Sequence, residues 1–223
     1  YQSRGSGWTL HKLVKLDLHV DQFDPLRASS YIPTPLFIEK KKAVVNVKNK
    51  DNLCFLWTYL AAIHHEEVAH HPDRLYHYKQ YQSELNMQGL DMPMKLNAIP
   101  KFERQNNCSI SVYGYEETFD QEKEEWDQYV YPLKVTREIK EKHVDMLMIS
   151  EGEKTHFLWI KNFSRLLAGQ YSKHEKELAY CRFCCRGFYV KAKPTHGTRL
   201  EDAKKQRDEH EKECFVHGGQ LLF

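Results

Sequence analysis

Hydrophobic positions along this chain change period several times, and each change marks an element. In "AVVNVKN" Val44, Asn46 and Lys48 alternate with Val45, Val47 and Asn49, the two-residue period of a short strand. The next stretch, "KDNLCFLWTYLAAIH", switches to helical spacing: Cys54, Trp57 and Ala61 recur on one face and Phe55, Thr58 and Ala62 beside it, with Asp51 or Asn52 placed to cap the first turn. This predicts a helix with Cys54 near its N-terminus. Further on, "CSISVYGYE" and "YVYPLKV" read as strands, and "TFDQEKEEWDQ" between them as a charged loop or short helix. The runs "HVDMLMI" and "HFLWIKN" are joined by "SEGEKT", where Gly152 supplies a turn residue, and together they predict a hairpin.

The remaining segments are less regular. "WTLHKLVKLDLHVDQFDPL" reads as a strand or an irregular arm ended by Pro25. Pro33 and Pro35 force extended backbone before a short helical turn in "PLFIEKKK". "NMQGLDMPMKLNAIPKFERQN" runs through Gly89, Pro93 and Pro100 as a connection holding one helical turn. Helical elements followed by antiparallel strands predict an α+β domain. "NFSRLLAGQYSKHEKELAY" leaves the sheet for a short helix and a charged linker, so the expected division falls near Ser172: a domain over 1–171 with an N-terminal arm, then a linker and cysteine-rich module over 172–223.

Composition narrows the function classes. The chain has 223 residues, 41% of them hydrophobic, enough for a real core. Its 33 basic and 31 acidic residues leave a formal charge of +2, which excludes a global field for nucleic acid or an anionic membrane. No apolar run approaches a bilayer span, so no membrane partner is expected, and no secretory signal is visible near Tyr1. The non-methionine start predicts a fragment of a longer polypeptide. Four of the six cysteines crowd the last fifth of the chain, a distribution that suits a metal better than disulfides and predicts an intracellular setting, cytoplasmic or nuclear.

In the tail, Cys181 and Cys184 are spaced as a knuckle, and His210 and Cys214 lie one helical turn apart, which together offer tetrahedral ligands for a structural zinc ion. Cys185 and His217 are alternative ligands, and His196 reads as loop. So small a module cannot fold on hydrophobic burial alone, so the metal would be structural. Phe188 is placed like the core aromatic of the two-cysteine, two-histidine zinc finger, which the segment resembles, although the loop between its ligand pairs is longer. The mixed signs of "KKQRDEHEK" favour a solvated helix face over a DNA contact. The histidines of "IHHEEVAHHPDRLYH" have no fixed ligand pattern and read as a solvated loop.

A second chemistry is suggested by Cys54. A thiol at a helix N-terminus is favoured as thiolate by the dipole, and it needs a histidine as base and a third group to orient that base. The predicted hairpin register sets His143 opposite Asn162, and Asp145, two residues along the same strand, shares the face of His143. Cys54, His143 and Asn162 are therefore the expected triad, with Asp145 as alternative third member and His156 as alternative base. Asn49 or Asn52, with the backbone N–H of Cys54, would serve the oxyanion.

These motifs carry resemblances. The order Cys, His at a strand start, Asn at the end of the returning strand, with "WIKNFS", resembles papain-like cysteine peptidases, although Lys48 stands where that family places its glutamine. "DNLCFLW" and "HVD" resemble ovarian-tumour-type deubiquitinases, and there is a more distant likeness to viral tegument-like deubiquitinases. The pattern of "GSGW", "SSYIPTP", "IPKFERQN", "SVYGYE" and "IKNFSRLL" resembles domains beside family-B DNA polymerases in Polinton-like mobile elements. The resemblance implies a papain-like fold and a thiol isopeptidase acting on ubiquitin or a ubiquitin-like protein, with self-processing second. The competing expectation is a non-catalytic interaction module whose zinc finger binds DNA.

Overall fold

The computed structural model describes residues 31–68, 70–121, 124–152, 154–170, 178–189 and 199–216. The predicted N-terminal arm before Pro25, residues 172–177 of the expected linker, His196 and His217 lie outside them. Within them the fold is α+β. A five-stranded sheet has the order β1-β5-β4-β2-β3, built from β1 (Val44–Val45), β2 (Ser109–Asp120), β3 (Glu125–Lys134), β4 (His143–Glu151) and β5 (Lys154–Ile160). The sheet is mixed rather than wholly antiparallel, because β2 and β4 run parallel and the chain must cross over through β3 between them.

The predicted β4–β5 hairpin is present in the expected register, from Glu151↔Lys154 to Met146↔Trp159. The charged stretch expected as loop or helix instead extends two strands into a long hairpin, pairing Glu117 with Gln128 and Phe119 with Trp126. Local charge obscured a two-residue alternation that cross-strand pairing completes.

Both faces of the sheet are covered. Along β4, Val144, Met146 and Met148 point to one side, with Phe157 of β5. There they meet α2 (Cys54–Ile63) and α3 (Ile99–Gln105). Leu147, Ile149, Leu158 and Ile160 point to the other side, against Ile38 of α1 (Leu36–Lys41) and against Leu166 and Leu167 of α4 (Phe163–Leu167).

Helix α2 begins at Cys54, and all its residues from Cys54 to Ala62 are buried. A helix apolar all round must be enclosed. The sheet covers one side of it, while Val68 and Tyr78 from the following connection cover another. Phe55 meets Phe102 and Phe157 edge to face with centroids 5.1 and 5.5 Å apart, and Thr58 Oγ1 donates to the Phe157 carbonyl at 2.8 Å, locking α2 onto β5. Asp51 organises the turn before α2: its carboxylate accepts from the Leu53 N–H at 3.0 Å and from the Trp57 indole N–H.

The cysteine-rich tail forms a short hairpin, β6 (Ala179–Tyr180) with β7 (Gly187–Phe188), and a helix, α5 (Arg199–Val216). Leu178, Tyr180 and Cys185 lie in the same apolar cluster as Leu147, Ile149 and Leu166, so the hairpin packs on the sheet face opposite α2.

Candidate functional site

The knuckle is shaped by its own backbone. Cys181 N–H donates to the Arg186 carbonyl and Cys185 N–H to the Cys181 carbonyl, both at 2.9 Å, and Cys185 takes the left-handed conformation (φ 59°) that closes the turn. The Phe183 N–H points at the Cys181 sulfur, 3.3 Å away. Helix α5 then brings His210 and Cys214 over this turn, as expected from residues four apart.

The four ligand atoms of Cys181, Cys184, His210 and Cys214 all lie within 4.8 Å of one another. Cys181 Sγ and Cys214 Sγ are 4.0 Å apart, and Cys184 Sγ and His210 Nε2 are 3.3 Å apart. Metal–sulfur bonds of about 2.3 Å in a tetrahedron place ligand atoms roughly 3.5–3.8 Å apart, so these residues fit one metal ion. Among the thiols, the hydrogen bond shared by Cys181 and Cys184 pushes the Cys184 thiol down and the Cys181 thiol up, while burial pushes the Cys214 thiol up. Cys185, an alternative ligand in sequence, is buried in the apolar cluster, and its thiol is pushed up by that burial. Elsewhere, His64 of the histidine-rich stretch pairs with Glu84 at 3.0 Å and stacks on Tyr81. Among the described residues the Cys3His group is the one cluster able to hold a metal.

Arg182, between the two knuckle cysteines, is the residue that sequence reasoning missed. Its guanidinium meets Asp145 Oδ1 at 2.6 Å and also contacts His143 Nε2. Its backbone is fixed at both ends: the N–H donates to Glu211 of α5 at 2.9 Å, and the carbonyl accepts from the Tyr113 hydroxyl at 3.1 Å. His143 is held further by Ser109 Oγ, 2.8 Å from Nδ1, and by Asp145 Oδ1, 3.1 Å from Nε2. The pair His143–Asp145 is thus assembled as the sequence suggested, but Arg182 from the ligand turn covers it. An arginine beside a ligand cysteine was the available signal; its target was not.

The other expected site residues are placed apart. Cys54 is 1% exposed, in the cluster with Met94, Phe102 and Met146. Burial pushes its thiol up to about 11, and its hydrogen bonds are to backbone groups of Phe157 and Phe55 rather than to a histidine. His143 shares strand parity with Leu147, and His156 with Leu158, so both project from the sheet face opposite Cys54. His156 is fully buried with Nε2 2.7 Å from Asn46 Oδ1, and its ring meets Tyr31 edge to face. Of the expected oxyanion donors, Asn49 Nδ2 is engaged by Asp51 at 2.8 and 2.9 Å, and Asn52 Nδ2 by the Met92 carbonyl at 3.3 Å.

The expected His143–Asn162 pairing is not made. The ladder between β4 and β5 stops at Met146↔Trp159, because the N–H groups of Lys161 and Asn162 both turn to the Ala43 carbonyl on the opposite edge of β5. Asn162 then caps α4, its Oδ1 accepting from the Arg165 N–H at 2.9 Å. Asn162→Ala is therefore expected to cost about 1 kcal/mol, read as a fall of about 2–4 °C in thermal midpoint. It should leave the His143 ring contacts with Ser109 and Asp145, followed by NMR chemical shifts, unchanged.

No family model, curated protein or solved structure matches the chain. No helix among the described residues is long and apolar enough to cross a membrane.

Proposed function

We propose that this chain is a zinc-stapled protein-interaction module in which the sheet domain and the C-terminal finger act as one body. The observation that carries this reading is the Cys181–Cys184–His210–Cys214 cluster, tied to the sheet by the Arg182–Asp145 contact at 2.6 Å. Three thiolates and an imidazole in a tetrahedral arrangement suit Zn²⁺, and a full set of four protein ligands is that of a structural site. The buried, protonated Cys54 thiol supports a non-catalytic role. A protein partner is favoured over DNA by helix α5, where Lys204, Lys205 and Arg207 alternate with Asp202, Asp208 and Glu209. Phosphate contacts need cations without interleaved carboxylates.

Metal analysis of the purified chain should return about one zinc per molecule, as a four-ligand structural site requires. Folded, metal-free protein with freely titrating Cys181 and Cys184 would sink this reading.

One observation favours a second reading, a cysteine isopeptidase acting on ubiquitin or a ubiquitin-like protein. Cys54 is the first residue of α2, and its sulfur is hydrogen-bonded to the backbone of Phe157, the residue after His156. A nucleophile and a base would then sit on adjoining backbone, and catalysis would require the His156 segment to turn over. A covalent adduct with a ubiquitin propargyl probe, lost in Cys54→Ala, would establish this second reading over the first.

A further inference from the structure

The β2–β3 hairpin carries the most exposed aromatic pair of the sheet, and β3 is the sheet's edge. Trp126 is 58% and Phe119 46% exposed, and their rings meet edge to face at 5.3 Å. The base of the edge is closed. Gln170 lays its carboxamide along β3 like a piece of strand, donating to the Val130 carbonyl at 3.0 Å and accepting from the Val130 N–H at 2.9 Å. Pro132, next on the outward side, has no N–H to offer. Because outward-facing residues alternate, Trp126 and Gln128 present their backbone groups on the same side as Val130. Among the described residues no hydrogen bond to those groups is made on that side. Among the described residues the edge is thus blocked where it meets the body and unpaired at the aromatic end.

Resting on the interaction-module reading, we infer that this open edge binds a lysine- or arginine-rich extended segment of a partner protein, added as a further strand beside Trp126 and Gln128. Charge selects this occupant. Over residues 116–127 the sequence sets Glu116, Glu117, Asp120, Glu122, Glu124, Glu125 and Asp127 against one cation, Lys123, in a chain whose overall charge is +2. A second copy docking edge to edge would bring two such acidic hairpins together. An added strand sends alternate side chains to the two faces of the sheet. One set passes over Phe119 and Trp126 with Glu117 beside them, where a lysine stem packs and its ammonium meets an aromatic face. The other set reaches the face of Glu116, Asp127 and Glu125.

The test uses the full zinc-loaded chain and a fluorescein-labelled heptapeptide alternating lysine and valine, followed by anisotropy. Saturable, salt-weakened binding is expected. Trp126→Ala and Gln128→Pro should each weaken it at least tenfold, and because the Gln128 N–H faces away from β2, the proline leaves the hairpin ladder intact. The same peptide N-methylated at alternate residues keeps its charge and should lose binding by a similar factor. Equal binding of the methylated peptide, or unchanged binding by both variants, would reduce the effect to ion exchange and overturn the proposal. Protection of the Trp126 and Gln128 amides from hydrogen exchange in the free protein would overturn it too, by showing the edge already filled by this chain or a second copy. Zinc content and thermal midpoint, measured on the same samples, separate the two claims. Absent peptide binding with zinc retained sinks this inference alone, and absent zinc in the wild type sinks the module reading.

Discussion

Cys184→Ser is expected to abolish zinc binding and to lower the thermal midpoint by roughly 10 °C, the shift that several kcal/mol produces in a domain of this size. Losing one of four ligands leaves a site that no longer repays the cost of gathering three thiols and an imidazole. The damage should reach beyond the finger, because the turn that holds the ligands also presents Arg182 to Asp145 and His143, and carries Cys185 into the sheet's apolar cluster. Chelation of the wild type should reproduce the effect. Hydrogen exchange at His143 and Asp145 would report it directly: faster exchange there in the metal-free chain is the expected result. Unchanged protection would show that the finger is docked without its metal.

Cys54 should alkylate far more slowly than an exposed thiol. A thiol at about 11 rather than the ordinary 9 has roughly a hundredfold less thiolate near neutral pH, before access is counted. Its rate with iodoacetamide should rise about tenfold per pH unit up to about 11. The sign also links to stability. Because the folded value is raised, burial of the neutral thiol stabilises the fold fully below pH 9. That contribution is lost as pH climbs toward 11, amounting to about 2–3 kcal/mol. A fast-reacting Cys54 at pH 7.5, confirmed by peptide mapping, would contradict the buried geometry and revive the peptidase reading.

Much of this molecule follows from local pattern. The helix starting at Cys54, the β4–β5 hairpin and its register, the shared face of His143 and Asp145, and the four-ligand cluster were all readable from spacing. Each depends on a fixed period or a fixed reach: helical recurrence, strand alternation, or ligands one turn apart.

What spacing could not say is which side of the sheet each element takes. "VDMLMI" is apolar at every position but one, as a strand covered on both faces must be, so its pattern does not reveal whether α2 lies on the side of Met146 or of Leu147. That choice decides the chemistry, since it sets Cys54 on one face and His143, Asp145 and His156 on the other. The same holds for Asn162, whose place opposite His143 was lost to the Ala43 carbonyl and the N-terminus of α4, and for Arg182, whose partner lies 37 residues away in sequence. Sequence alone determined the helix at Cys54, the β4–β5 hairpin and the Cys3His cluster able to hold a metal, because those are local. Only tertiary packing decided which functional groups meet, because it alone chooses between the two faces of a sheet that is apolar on both.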